Sequence, residues 1–291
     1  MGTADVIPGV SGGTMAFILG IYPELVAAIK SFDLLWMKSL LRFDLGTSLS
    51  RPKFGFLIPL MIGIGGALLF FTRIIPLPVL LHTHPEEIYG LFFGLIAGSI
   101  LVLIREMKGI GLNALLQLVI GFSLGLLVFN LVPLDTSESA WFIFLTGSLA
   151  ICAMILPGIS GSFILLILNK YTYIFSAIGD FRFSILAPFA LGAVTGLVLF
   201  SRILSYLLHR YYRATILVII GVLIASLQII WPFQERTYII ARGKPRLIDS
   251  IPVFPAELSQ TVLFSILMVV IGFITILVIN RVAIIKGEVA E

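Results

Sequence analysis

Eight stretches of 17 to 31 residues carry no Asp, Glu, Lys or Arg: 6–23, 54–72, 88–104, 109–134, 139–169, 183–201, 214–234 and 258–280. A helix needs about 17–25 apolar residues to cross a bilayer, so most of these stretches are one crossing long. Lipid offers no partner for a backbone N–H or C=O, so the chain must be helical wherever it meets hydrocarbon. The charged fraction is 12% and the mean hydropathy +1.13, against about 25% charged residues in a soluble domain. The expected fold is an all-α polytopic membrane protein. A net charge of +4 fits cation-rich cytoplasmic loops, and it is too thinly spread for nucleic acid. Cys152 is the single cysteine, which excludes an internal disulfide and a thiolate metal site. No basic segment precedes the first apolar stretch, so no cleavable signal peptide is expected.

The stretch 139–169 is too long for one straight crossing, and Pro157-Gly158 interrupts it near its middle. The same interruption occurs early in the chain: Pro8-Gly9-Val10-Ser11-Gly12 aligns with Pro157-Gly158-Ile159-Ser160-Gly161. Across 8–32 and 157–181, 10 of 25 positions are identical, Tyr22/Tyr171 and Phe32/Phe181 among them. The order continues downstream. Pro59, Gly63, Phe71 and Arg73 match Pro188, Gly192, Phe200 and Arg202; Gly94 and Ser99 match Gly221 and Ser226; 119–122 reappears as 270–273. Apolar bias does not put Pro, Gly and Arg in the same order twice, so the chain reads as a duplication.

The first repeat is expected over 1–138, with a re-entrant hairpin around 5–30 and helices near 54–73, 88–105 and 110–133. The second is expected over 139–291, with a hairpin around 140–178 and helices near 184–204, 214–232 and 258–281. The segment 233–257 is expected as an external loop. A re-entrant hairpin returns to its own side, leaving three crossings per repeat. An odd number inverts the second repeat relative to the first, the usual plan of secondary transporters. This topology puts 12 cations on one side and 7 on the other, which makes the richer side cytoplasmic. Only seven residues precede Pro8, a helical reach of about 10 Å. Residues upstream of Met1 are therefore expected to complete the first arm.

The breaks carry the candidate chemistry. Pro8 ends any preceding helix, and Ser11 or Thr14 is placed to cap a helix spanning 15–29. The N–H groups at such a helix start have no intrahelical acceptor and form a ready anion site. Gly9, Ser11, Gly12, Gly13 and Thr14 from one repeat, and Gly158, Ser160, Gly161 and Ser162 from the other, are the expected binding residues. The bland alternative is that the glycines only let helices cross closely. Arg73 and Arg202, at repeat-related helix ends, suit a phosphate or simply snorkel to headgroups. Asp5 and Glu24 flank the first hairpin and are candidates for coupling to H⁺ or Na⁺; their bland roles are a cap and an interfacial charge. His82, His84, Glu86 and Glu87 fall in a short segment expected to be a solvated loop. No Walker A, Gly-x-Ser-x-Gly or His-Glu-x-x-His pattern occurs, so no cofactor, metal or ATP-driven step is expected.

At 7–22 (IPGVSGGTMAFILGIY) and 156–168 (LPGISGSFILLIL) the chain resembles the PopT family of polyprenyl-phosphate translocases. HPEEIYGLFFGLIAGS at 84–99 and the end of 214–232 resemble it too. The resemblance spans nearly the whole chain. It departs from the family pattern in its short N-terminus and in Pro23, which separates Tyr22 from Glu24. The resemblance implies a bacterial plasma-membrane transporter that returns undecaprenyl phosphate from the outer to the inner leaflet for reuse in envelope polymers such as peptidoglycan. Two rivals fit parts of the pattern. A polyprenyl-diphosphate phosphatase would need a nucleophile with a base, and neither break is followed by a His. A small-anion transporter or channel would use the same helix ends for a soluble ion.

Overall fold

The computed structural model describes residues 1–2, 12–74, 80, 83–107, 109, 111–131, 136–241 and 244–289. In chain order the helices are α1 (Gly12–Ile18), α2 (Tyr22–Lys30), α3 (Leu34–Leu41), α4 (Leu45–Ser50), α5 (Phe54–Arg73), α6 (Pro85–Glu106), α7 (Leu112–Phe129), α8 (Ala140–Ile155), α9 (Gly161–Ile167), α10 (Tyr171–Gly179), α11 (Phe183–Arg210), α12 (Tyr212–Ser226) and α13 (Gln260–Val289). Among the described residues five helices, α5, α6, α7, α11 and α13, are long and apolar enough to cross a membrane; α8 and α12 are shorter apolar helices.

Three helix pairs hold the bundle together: α6 with α13, α7 with α12, and α8 with α11. All three are parallel, and glycine sets the register. A Cβ at Gly90 would lie 2.7 Å from the Ser265 carbonyl oxygen. One turn on, a Cβ at Gly94 would overlap the Val269 carbonyl, and a further turn on Gly98 would lie 3.1 Å from the Phe273 carbonyl. Gly121 meets Val218 and Gly125 meets Val222 in α7–α12; Gly192 meets Phe144 and Gly196 meets Ser148 in α8–α11. Lipid tails are as apolar as leucine, so helices in a bilayer associate through such close packing of small residues. Under the internal alignment α6–α13 and α7–α12 are counterparts.

The core lies where the first broken segment meets the bundle. Ala16, Phe17, Tyr22, Leu25 and Val26 pack with Tyr89, Phe92 and Ile96 of α6, Leu204 and Leu208 of α11, and Ile216, Ile220 and Leu223 of α12. α12 is buried round much of its circumference, which accounts for a short helix with little lipid-facing surface. Buried hydroxyls return to their own helix: Ser99 donates to the Leu95 carbonyl (2.6 Å) and its repeat counterpart Ser226 to that of Leu223 (2.8 Å), the usual solution for Ser inside a helix.

The parallel register also fixes which ends coincide. α6 ends at Glu106, just past Arg105, α13 passes Arg281 at that level, and α7 starts six residues after α6 stops. α12 starts beside α7, one residue after α11 ends at Arg210, and Lys30 reaches Ser205 of α11 (3.1 Å). Lys30, Arg105, Arg210, Arg213 and Arg281 therefore gather at one end of the bundle, the end that the charge bias of the sequence assigns to the cytoplasm.

Several expectations are corrected. The helix expected over 15–29 is divided by a turn at Gly20, whose φ of 71° ends α1; only glycine adopts that region freely. Asn169, its counterpart, turns the second segment with φ 51°, as Asn tolerates. The segment 233–257 is not simply a loop: β1 (Gln234–Ala241) and β2 (Lys244–Pro252) pair as an antiparallel ribbon, Gln234 opposite Pro252. The 31–53 connection contains α3 and α4. Asp33 caps α3 and Asp44 caps α4, and Arg51 clasps Asp33 with two hydrogen bonds (2.6 and 2.9 Å). Those bonds, with the Trp36 N–H, hold the Asp33 carboxyl down to about 2. Glu86 and Glu87 stand in the first turn of α6 rather than in a solvated loop, and Oε2 of Glu87 is buried with no hydrogen-bond partner among the described residues. The positive end of the helix dipole favours a carboxylate there. His209 belongs to the last turn of α11, not to a loop; His82 lies outside the described residues.

Glycines without neighbours provide the control for the packing argument. Gly63 and Gly66 of α5 face open space. Gly94→Ala and Gly121→Ala should each cost about 1–3 kcal/mol, as overpacking does, while Gly63→Ala and Gly66→Ala leave stability nearly unchanged. Thermal unfolding in detergent, followed by loss of monomeric protein, checks the contrast.

Candidate functional site

α8 stops where Leu156 turns extended (ψ 127°) and Pro157 enters. Gly158 follows with φ 91°, a backbone state that an L side chain resists. Ser160 is extended again, and α9 starts at Gly161 and runs back along α8. The return is close: a Cβ at Gly161 would lie 2.7 Å from the Ala150 carbonyl oxygen.

The first broken segment docks on this break. A Cβ at Gly13 would lie 2.6 Å from the Ile155 carbonyl and 2.8 Å from that of Met154, so α1 touches the open end of α8 at backbone distance. Thr14 Oγ1 accepts a hydrogen bond from the Gly158 N–H at 2.8 Å. Tyr22 donates its hydroxyl to the Ile155 carbonyl at 3.1 Å. Broken helices leave N–H and C=O groups without partners, and Thr14 and Tyr22 each satisfy one from the other repeat. Both are fully buried.

The expected site residues thus fall into three groups. Gly12, Gly13, Thr14, Gly158, Ser160, Gly161 and Ser162 belong to one region where the two broken segments meet. Within it Thr14 does not cap α1: it lies inside the helix and serves the opposite break. Gly13 and Gly161 are needed for close helix packing, the bland reading of those glycines. Ser160 and Ser162, both half-buried, share a hydrogen bond of 2.7 Å. The Gly161 and Ser162 N–H groups open α9, where helix geometry supplies no acceptor. Asp5, Gly9 and Ser11 lie outside the described residues.

Arg202 forms the second group. It is half-buried, and α11 continues eight residues beyond it to Arg210, so it is not at a helix end as expected. The α8–α11 register, Ser148 against Gly196, places Arg202 at the depth of the α8 break. Among the described residues it makes no hydrogen bond or ion pair. An arginine inside an apolar span without a partner is a functional candidate. Its counterpart Arg73 is the last residue of α5. Glu24 stands apart as the third group: it is exposed in the first turn of α2, behind Pro23. The one contributor that sequence reasoning passed over is Tyr22. Its identity with Tyr171 across the repeat was a visible signal, but nothing in the sequence pointed its hydroxyl at Ile155.

A multi-pass helical membrane protein with an interrupted helix inside the bundle, docked by a distant segment of the chain, has the architecture of membrane transporters. The chain is a member of the undecaprenyl phosphate translocase-like family, which its residues 1–245 match. It is 41% identical over 237 residues to a polyprenyl-phosphate transporter of Vibrio cholerae serotype O1, covering 81% of this chain and 76% of that one. It is 30% identical over 254 residues to a polyprenyl-phosphate transporter of Staphylococcus aureus, covering 80% and 83%. No solved structure matches it.

Thr14→Val keeps the shape of the side chain but strands the Gly158 N–H. A buried donor without a partner costs about 1–3 kcal/mol. Thr14→Val should unfold at lower temperature than wild type, and Thr14→Ser, which keeps the oxygen, should recover most of the loss.

Proposed function

We propose that this protein carries polyprenyl phosphate, with undecaprenyl phosphate as the expected lipid, across the bacterial plasma membrane, and that the headgroup passes the region where the two broken segments meet. The observation that carries this reading is the Thr14 to Gly158 hydrogen bond, which docks the helix following the first Pro-Gly-x-Ser-Gly motif on the break at the second. The names of the relatives supply the lipid.

Inversion of the repeats is supported by helix direction. α6 and α7 follow each other through a short connection and cross oppositely, yet α6 runs parallel to α13 and α7 to α12. The second helix of one repeat therefore runs with the third helix of the other. The broken segments come from opposite ends: α2 leads to Lys30 at the cytoplasmic end, whereas α8 enters beside the start of α11 at the other end.

Ser160, Ser162 and the N–H groups opening α9 offer the phosphate donors, Arg202 a guanidinium at the same depth, and Arg73 its repeat counterpart. Gly9, Ser11 and Gly12 are the corresponding residues of the first break. The prenyl tail stays in lipid while the headgroup crosses. Movement is from the outer to the inner leaflet, driven by a proton or Na⁺ gradient through Asp5 or Glu24, and returns the carrier lipid for peptidoglycan synthesis. Transport rather than hydrolysis is favoured because Ser160 and Ser162 bond each other, while His209 contacts the Ser205 carbonyl at 2.7 Å in α11.

A leaflet assay in proteoliposomes tests the reading. A hydrogen bond to a charged group contributes about 1.5–3 kcal/mol, so Ser160→Ala and Arg202→Gln should each weaken headgroup binding about ten- to a hundredfold. Normal transport by both variants would exclude the site. Undecaprenyl diphosphate hydrolysis by the pure protein would favour an enzyme, and phosphate flux without lipid movement a small-anion carrier.

The coupling role has its own test. Asp5→Asn should abolish the response to an imposed proton or Na⁺ gradient while lipid still binds, and an unchanged response removes Asp5 from the mechanism.

A further inference from the structure

A separate cavity of about 600 Å³ opens at the cytoplasmic end of the bundle, remote from the broken segments. It lies at the corner where α11 passes into α12 through the single residue Tyr211, with the start of α7 as the opposite wall. Its volume falls within the roughly 300–1,000 Å³ of small-molecule sites. Arg210, Tyr211, Tyr212 and Arg213 line one side and Asn113 and Gln117 the other, and among the described residues no carboxylate lines it.

Two cations facing a cavity, with no acid among its described lining residues, are the chemistry of an anion site. Arg213 is tethered by its Nη2 to the Gly109 carbonyl, also in the wall. Arg210 makes no hydrogen bond or ion pair among the described residues, so its five donors are available. α7, 18 residues long, adds to the same field: it starts here with no acidic residue in its first turn and no side-chain cap.

The surroundings identify the anion as one carried by a lipid. From the cavity rim an apolar stripe runs along α7 through Leu112, Leu116 and Val119, 83%, 59% and 49% exposed. A soluble phosphate would use the guanidinium groups and ignore the stripe. A lipid in the cytoplasmic leaflet uses both, its phosphate between Arg210 and Arg213 and its chain along α7. We propose that this cavity is a second lipid-phosphate site, distinct from the broken segments, which receives the headgroup on the cytoplasmic face. The receiving role rests on the carrier reading above; the binding of lipid phosphate does not.

The test is native mass spectrometry of the full chain, released from neutral nanodiscs doped with polyprenyl monophosphate or with phosphatidylglycerol, or with inorganic phosphate in the buffer. Arg210→Gln, which leaves the Arg213 tether intact, should lower retention of one bound lipid about tenfold, and Arg210→Gln/Arg213→Gln should lower it further. Ser160→Ala and Arg210→Gln should each lose one bound monophosphate lipid and the combined variant two, which separates this cavity from the broken segments. Loss of the monophosphate lipid supports a receiving site for cargo, and loss of phosphatidylglycerol supports a site for leaflet phospholipid. Undiminished lipid retention by Arg210→Gln and the double variant, or equal occupancy by inorganic phosphate alone, would overturn the proposal. If wild type retains lipid in this Arg210-dependent way yet fails to transport, the carrier reading falls and the lipid-phosphate site stands.

Discussion

Backbone-to-backbone contact between parallel helices is the interaction on which everything else in this protein depends. In water, burying apolar surface would draw these helices together. In lipid the surface stays in an apolar medium whether the helices touch or not, and what remains is dispersion at close range. Gly90, Gly94 and Gly98 let α6 lie against the carbonyls of α13, and Gly121 and Gly125 do the same for α7 on α12. These ladders set direction and register together. They thereby determine which helix ends coincide, which cations gather at one end, and how deep the α8 break lies beside α11.

The broken segments are affordable only because that frame encloses them. A chain that stops being helical inside a bilayer leaves polar backbone groups without water. Here the deficit of one break is met by the other: Thr14 takes the Gly158 N–H and Tyr22 covers the Ile155 carbonyl. A single broken helix would need all its partners from straight helices, which have few to spare. Both bonds run one way, tying α1 and α2 to the second break. This docking separates residues that build the junction, Gly13, Thr14, Tyr22 and Gly161, from those with capacity left for a ligand, Ser160, Ser162 and Arg202.

Charge follows the same geometry. The corner between α11 and α12 brings Arg210 and Arg213 to one rim, and the α7–α12 register brings an uncapped helix start to face them. Neither feature alone marks a site. Together they leave a basic cavity beside a lipid-facing helix at the end where the charge bias puts the cytoplasm.

Much of this was legible in the sequence, because membrane solvation acts on composition directly. Uncharged stretches overlap α5, α6, α7, α11 and α13, and Pro157-Gly158 marks the end of α8, while Pro8-Gly9 lies outside the described residues. Local signals failed where a fold-level partner decided the outcome. Nothing near Gly20 stopped the apolar pattern from reading as one helix through 29. α11 ran on past Arg202 because packing with α2, through Lys30 and Ser205, holds its polar last turns. The ribbon at β1 and β2 follows a pairing across the turn that hydropathy does not register. The residues alone establish a helical membrane protein with an interruption at Pro157-Gly158, since lipid penalises charge and unpaired backbone residue by residue. Only the tertiary structure decided that Thr14 meets Gly158, that Gly161 is a packing residue, and that Arg202 stands at the depth of the break. Those facts depend on which groups face each other across two helices, a relation between residues distant in the chain, 144 positions apart for Thr14 and Gly158, that no local pattern encodes.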